Sequence, residues 1–161
     1  MTHLDADPAK QSDPLYRRRH SLAHVLAQAV LKERPGTQLG FGPPVDTGFY
    51  YDLKLDTPIS SDDFAKIQEA MHEVVADGRA FTRYELGLSA GMSKLGEEGN
   101  KYKVDNAEKA KSNGADTLSW YITGDNADQH FEDLCQGPHV DRTSRIGAFK
   151  IMSVASSHWH G

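Results

Sequence analysis

The chain has 161 residues, 38% of them hydrophobic and 25% charged, with a formal net charge of −5 and a mean hydropathy of −0.60. That length supports one domain with a core of its own, and the absence of any apolar run of about 18 residues excludes a spanning helix. The acidic balance argues against a broad basic surface for nucleic acid, while one cysteine and a polar, Pro-interrupted N-terminus point to a reducing, cytoplasmic setting.

Residues 1–14 lack periodicity and read as a flexible leader, with Asp13-Pro14 as a helix entry. The domain is expected over 15–161. Its first helix runs from about Leu15 to Lys32, where Leu15, Leu22, Val25, Leu26, Ala29 and Val30 recur at three- and four-residue steps, and stops before Pro35-Gly36. His20 and His24 fall four apart on this helix, one turn above the other, so both imidazoles project from one face. Arg17-Arg18-Arg19 directly precedes them and reads either as a local phosphate contact or as a solvated first turn.

QLGFGPPVDTGFYYDLKL follows. Its glycines, prolines and aromatic strand formers predict a hairpin, Gln38 to Pro43 against Gly48 to Leu55, with the bend at Pro44-Val45-Asp46-Thr47. A Gly-rich hairpin lets a ligand approach the backbone, which makes Gly42 and Pro43 candidate substrate-binding positions; the spacing is not that of a phosphate-binding loop. Ser60-Ser61-Asp62-Asp63 caps a helix from about Asp62 to Asp77, closed by Gly78, with Phe64, Ile67, Met71, Val74 and Val75 as its buried stripe and His72 off it.

Beyond it, Ala80 to Leu86 alternates as a strand, Ser89 to Glu97 reads as a short helix, and Lys101-Tyr102-Lys103-Val104 leads into a polar helix or loop ending at Asn113-Gly114. Thr117 to Thr123 is a strand, Phe131 to Leu134 a shorter one, and Ile146 to Val154 is expected to be the last. Two longer helices with about five strands in antiparallel order predict an α+β domain, an antiparallel sheet packed by the helices.

The chemistry-bearing feature is a pair of pairs. Cys135 and His139 share the spacing of His20 and His24, but Gly137-Pro138 between them breaks a helix and assigns them to a turn. Two imidazoles on a stiff helix plus a thiol and an imidazole on a turn suit convergence on one metal ion or one water. Three imidazoles and a thiolate are donors for zinc, yet a tetrahedral site using all four is closed and leaves no place for a water.

HSLAH, GPPVDTGFYYD, NKYKV, EDLCQGPH and AFKIMSVASSHW, in that order, resemble threonyl-tRNA synthetases over about residues 17–160. The segment is similar to their editing domain, the second additional domain shared in outline with alanyl-tRNA synthetase. The resemblance implies a hydrolase that cleaves the ester of a mischarged tRNA, with Ser-tRNA(Thr) as substrate and the 3′-terminal adenosine and its amino acid as what it binds. It carries His20, His24, Cys135 and His139 onto the family's helical and turn pairs, Asp133 onto its acid, Lys103 onto its lysine and Tyr51 onto the second tyrosine of FYYD. His20, Lys103 and Asp133 are then expected to position and polarise a water, Lys103 to meet the developing oxyanion, and Tyr51 to wall the amino-acid pocket; the plainer readings are a surface ion pair for Lys103 and Asp133 and core packing for Tyr51.

The alanyl type binds zinc through this set and the threonyl type is thought to work without it, so the resemblance implies no cofactor while the donor set leaves zinc open. Lacking an ATP-binding part, the chain reads as a trans-editing protein that complements a threonyl-tRNA synthetase without its own editing domain. A fragment of a full synthetase, an Ala-tRNA editor, and a non-catalytic tRNA-binding or zinc-binding module are the alternatives. The tail has His158 and His160 where the family tends to carry tyrosine and arginine, and Glu132 stands where it prefers an apolar residue.

Overall fold

The computed structural model describes residues 12–156. The leader up to residue 11 and the tail with His158 and His160 lie outside the described residues. Helix α1 (Pro14–Glu33) starts where Asp13 accepts from the Leu15 amide at 2.9 Å, with Pro14 in the first turn, where its missing N–H costs nothing. From His20 to Val30 all but one of its residues are buried, so the helix has a neighbour on most sides. Leu15, expected on the apolar stripe, is 45% exposed one turn ahead of that stretch.

The hairpin is two short ladders rather than one. β1 (Gln38–Leu39) pairs β4 (Leu53–Lys54), and β2 (Pro44–Val45) pairs β3 (Gly48–Phe49), both antiparallel. Pro44-Val45 is therefore strand, not bend, and the chain reverses at Asp46-Thr47. Pro43 and Pro44 have no N–H to donate, which interrupts the ladder between the two pieces; exchange of Gly40 and Phe41 with Asp52 (2.8 Å each) bridges part of the gap.

Ser60 and Asp63 form a capping box that opens a 3-10 turn (Ser61–Asp63) and then α2 (Phe64–Asp77), which closes at Gly78. Leu22, Val25 and Val30 of α1 pack with Ile67, Met71 and Val74 of α2 and with Ile146 in a first apolar core. Phe64 is only half-buried, while Ala70 joins the buried stripe and His72 is exposed, stacked on Phe149.

β5 (Phe81–Gly87), β6 (Thr117–Thr123) and β7 (Phe131–Leu134) form an antiparallel sheet in that order. Between the first two strands, α3 (Leu88–Glu98) and α4 (Lys101–Ser112) cover the face bearing Leu118 and Trp120, and a second core forms with Leu95, Ala107 and Ala110. KYKV is thus the first turn of α4, capped by Asn100, whose side chain accepts from the Tyr102 amide at 3.0 Å. Glu132 is not a loosely exposed strand residue: it is half-buried and accepts from Tyr84 and pairs with Lys94 (3.3 Å) and His130 (2.9 Å).

Ile146 to Val154 is not a strand. Ile146 closes a 3-10 turn (Thr143–Arg145), and Phe149 and Ile151 lie on the α1–α2 core, where the Ile151 amide donates to Gln68 Oε1 at 2.7 Å. Its alternating pattern serves contact with a helix pair, not a sheet. The α+β class holds, with four helices among the described residues where two longer ones, a short one and a polar helix or loop were expected. Among the described residues no helix is long and apolar enough to cross a membrane.

Candidate active site

The sheet face opposite Trp120 bears Tyr121, Asp133 and Phe81, and α1 lies against it. The Cys135–His139 turn leaves β7 at the end of this face: the Cys135 amide continues the ladder by donating to Ser119 O at 2.9 Å, and Ser119 Oγ donates to Cys135 O at 2.6 Å. Gly137 takes a φ of +80°, and the space where its Cβ would stand is occupied by the Tyr121 ring, so no other residue fits this turn.

The two pairs meet. Cys135 Sγ lies 3.2 Å from His20 Nε2 and 3.3 Å from His139 Nε2, and receives the Gly137 N–H at 3.2 Å. One donor atom from each of His20, His24, Cys135 and His139 falls within 4.8 Å of the others, and all four residues are buried. His20 holds its Nδ1 toward Pro138 O at 2.9 Å; a carbonyl only accepts, so Nδ1 carries the proton and Nε2 the lone pair of the neutral ring. His139 Nδ1 lies 3.0 Å from Ser21 Oγ.

Beside the cluster a second group forms. Lys103 Nζ sits 2.6 Å from Asp133 Oδ1 and donates to Tyr51 OH at 2.8 Å, and Tyr51 donates to Asp133 Oδ2 at 2.5 Å. His24 Nε2 faces the same Oδ2 at 3.6 Å. The Lys103–Asp133 pair is an ion pair, but a buried one and not the surface pair of the plainer reading. Gly42 has the Tyr51 ring pressed against it, an added Cβ standing 2.2 Å from Tyr51 Cδ2, and Pro43 is buried next to it.

Burial governs the protonation states. It lowers His24 to about 4, outweighing the pull of Asp133, so this imidazole is neutral at ordinary pH. Burial works against the Asp133 carboxylate, but Lys103, His24 and the Tyr51 hydroxyl overcome it and leave the group below its usual value. Burial raises Tyr51 well above an ordinary phenol, with Asp133 adding to the shift, and pushes the Cys135 thiol up, so both stay protonated.

The donor set fits zinc. Each imidazole has one nitrogen facing an oxygen (Pro138 O, Ser21 Oγ, Asp133 Oδ2), the outer support that ligating histidines use, and His24 Nδ1 is buried with no hydrogen-bond partner among the described residues. Lys103 and Asp133 border a cavity of about 290 Å³, and Cys135 borders another of about 490 Å³ with Phe41, Arg83 and Gln136, so both sides of the site adjoin open space.

The catalytic and metal candidates expected from the sequence gather here with Tyr51, whereas Gly42 packs against the Tyr51 ring and Pro43 is buried beside Gly42. Ser21, Phe81, Tyr121 and the Pro138 carbonyl were not anticipated. Ser21 stands inside the HxxxH spacing, which was a usable signal; Phe81 and Tyr121 read only as strand residues.

The class that fold and site define is an α+β domain with a buried His/Cys cluster between a helix and a strand-to-turn junction. Residues 118–158 match the family described as "Threonyl and Alanyl tRNA synthetase second additional domain". The chain is 42% identical over 143 residues to the threonine–tRNA ligase of Nitratidesulfovibrio vulgaris, covering 89% of this chain and 21% of that protein. It is 36% identical over 158 residues to that of Anaeromyxobacter dehalogenans (98% and 24%) and 40% identical over 158 residues to that of Rubrobacter xylanophilus (98% and 23%). Residues 118–158 are thus similar to the threonyl and alanyl tRNA synthetase second additional domain, and the chain as a whole is similar to a segment of threonine–tRNA ligases. It spans less than a quarter of the length of the relatives it matches.

Proposed function

We propose that this chain hydrolyses the ester joining a wrong amino acid to the terminal ribose of a tRNA, with Ser-tRNA(Thr) as substrate, in the cytoplasm. The observation that carries the reading is the buried meeting of His20 and His24 with Lys103, Asp133, Cys135 and His139 in a chain similar to threonine–tRNA ligases. Serine lacks one methyl of threonine, a difference worth about 1–3 kcal/mol in a binding pocket, so selection by binding alone leaves errors for a second site to clear.

In this reading His20 Nε2, whose lone pair is fixed by the Pro138 contact, takes the proton of the attacking water. Lys103 gives one proton to Asp133 and one to Tyr51, leaving the third for the oxyanion that forms as the ester carbonyl is attacked. Asp133 holds that ammonium in place, and Tyr51, fixed by both, walls the amino-acid side. The partner is the 3′ end of an aminoacyl-tRNA, served in trans for a threonyl-tRNA synthetase without an editing domain of its own.

A zinc ion held by His20, His24, Cys135 and His139 would supply structural cross-linking when bound, with all four positions filled by protein. The proposed reaction needs only the chain's own side chains, and purified protein is expected to hold much less than one zinc per chain by elemental analysis. Stoichiometric, tightly held zinc without esterase activity would favour the second reading, a zinc module without turnover, for which the four converging donors speak. Incubation with Ser-tRNA(Thr), Ala-tRNA and Thr-tRNA(Thr) decides the rest: hydrolysis of the first alone is expected, preference for Ala-tRNA reassigns the substrate, and inertness toward both mischarged species removes the enzyme.

A further inference from the structure

We infer that Ser21 is a positioning residue for His139, selecting the ring orientation in which Nε2 rather than a ring carbon faces Cys135. The His139 ring lies in a sandwich. It stacks on His20 at 4.1 Å and 23° and on Phe81 at 4.7 Å and 5°, and Tyr121 meets it edge-on at 4.5 Å. Stacking fixes the plane of a ring but is nearly indifferent to its rotation by half a turn about Cβ–Cγ, because the two orientations have the same outline. Aromatic packing therefore leaves two orientations close in energy, one offering Nε2 to the thiol and one offering a carbon.

A hydrogen bond removes that degeneracy. Ser21 is fully buried, and its Oγ lies 3.0 Å from His139 Nδ1. The same oxygen accepts the Val140 N–H at 3.0 Å, so it is anchored to the backbone of the residue that follows the histidine. With Nδ1 held there, Nε2 is left at 3.3 Å from Cys135 Sγ. The anchor works whether hydroxyl or ring donates and whatever the cluster holds. Ser21 also joins α1 to the turn, since its partners lie 118 and 119 positions away.

The test uses the full chain labelled with ¹⁵N-histidine, with His139 signals assigned from a His139→Gln variant, and Ser21→Ala and Ser21→Thr compared with wild type. Wild type and Ser21→Thr are expected to give one set of His139 ring-nitrogen signals with one protonated nitrogen. Ser21→Ala, folded by circular dichroism, should give doubled or exchanged Nδ1 and Nε2 signals while those of His20 stay put. In the deacylation assay, which rests on the function proposed above, kcat should fall about 10–100-fold with KM little changed, as for loss of an outer hydrogen bond to a site imidazole, and Ser21→Thr should restore it. Unchanged His139 signals in Ser21→Ala overturn the inference whatever the activity. Altered signals in proteins that hydrolyse no mischarged tRNA uphold it and overturn the deacylase reading instead.

Discussion

Lys103 and Asp133 bring two opposite charges into a buried site, and neither is stable there without the other. Lys103 is 7% exposed, and its ammonium offsets the burial penalty on a carboxylate that Tyr51 and His24 only partly support. Lys103→Met should therefore cost about 3–5 kcal/mol by chemical denaturation, the range for a buried charge left alone, and should abolish deacylation. Gly42 makes a second prediction at this scale. Gly42→Ala drives a methyl into the Tyr51 ring at 2.2 Å, and the ring moves only by breaking its bonds to Lys103 and Asp133. A loss of about 1–3 kcal/mol, the usual cost of overpacking, should accompany a fall in kcat, while Pro43→Ala, which inserts nothing, should leave kcat near wild type.

Elements deliver these side chains, and α4 does so with the narrowest margin. Its cap, Asn100, accepts from the Tyr102 amide and gives its Nδ2 proton to Leu39 O at 2.9 Å, so one side chain both starts the helix and ties it to β1, three residues before Lys103. Asn100→Ala should lower stability by about 1 kcal/mol and lower kcat through a displaced lysine, measurable in the same denaturation and deacylation assays. The strongest elements were legible in the sequence: α1 from its apolar spacing and Asp13-Pro14 entry, α2 from its serine-aspartate cap, β6 from its dense β-formers. The cluster was legible because two pairs of donor residues, His20 with His24 and Cys135 with His139, shared one spacing. The α4 assignment was not, because Lys101 to Ser112 is polar nearly throughout and its stability comes from Ala107 and Ala110 reaching the second core. The misread segment after Ile146 failed for a related reason: alternation marks one buried side, and a helix pair can bury it as well as a sheet can.

At the scale of the whole molecule, the site joins α1 to the sheet and to the turn after β7, and its acid sensitivity becomes the domain's. His24 is neutral in the fold, lowered to about 4 from an ordinary value of 6.5 chiefly by burial. An unfolded chain takes up that proton readily and the folded one resists it, so stability is full above about pH 6.5 and falls as the pH drops toward 4. Asp133, lowered below the ordinary carboxylate value, adds a further loss at more acidic pH. Thermal melts from pH 8 down to 4 should show Tm falling below pH 6.5, and His24→Gln should flatten the upper part of that decline even where it lowers Tm at pH 8.

The thiol of Cys135 reaches the His20 imidazole across 115 positions of chain. A polypeptide leaving the ribosome at about 5–20 residues per second exposes its histidine helix many seconds before the strand that completes the pocket exists. Every nascent intermediate short of the Gly-Pro turn consequently lacks half of the four-residue cluster, and the proposed centre exists only once both ends of that span have emerged.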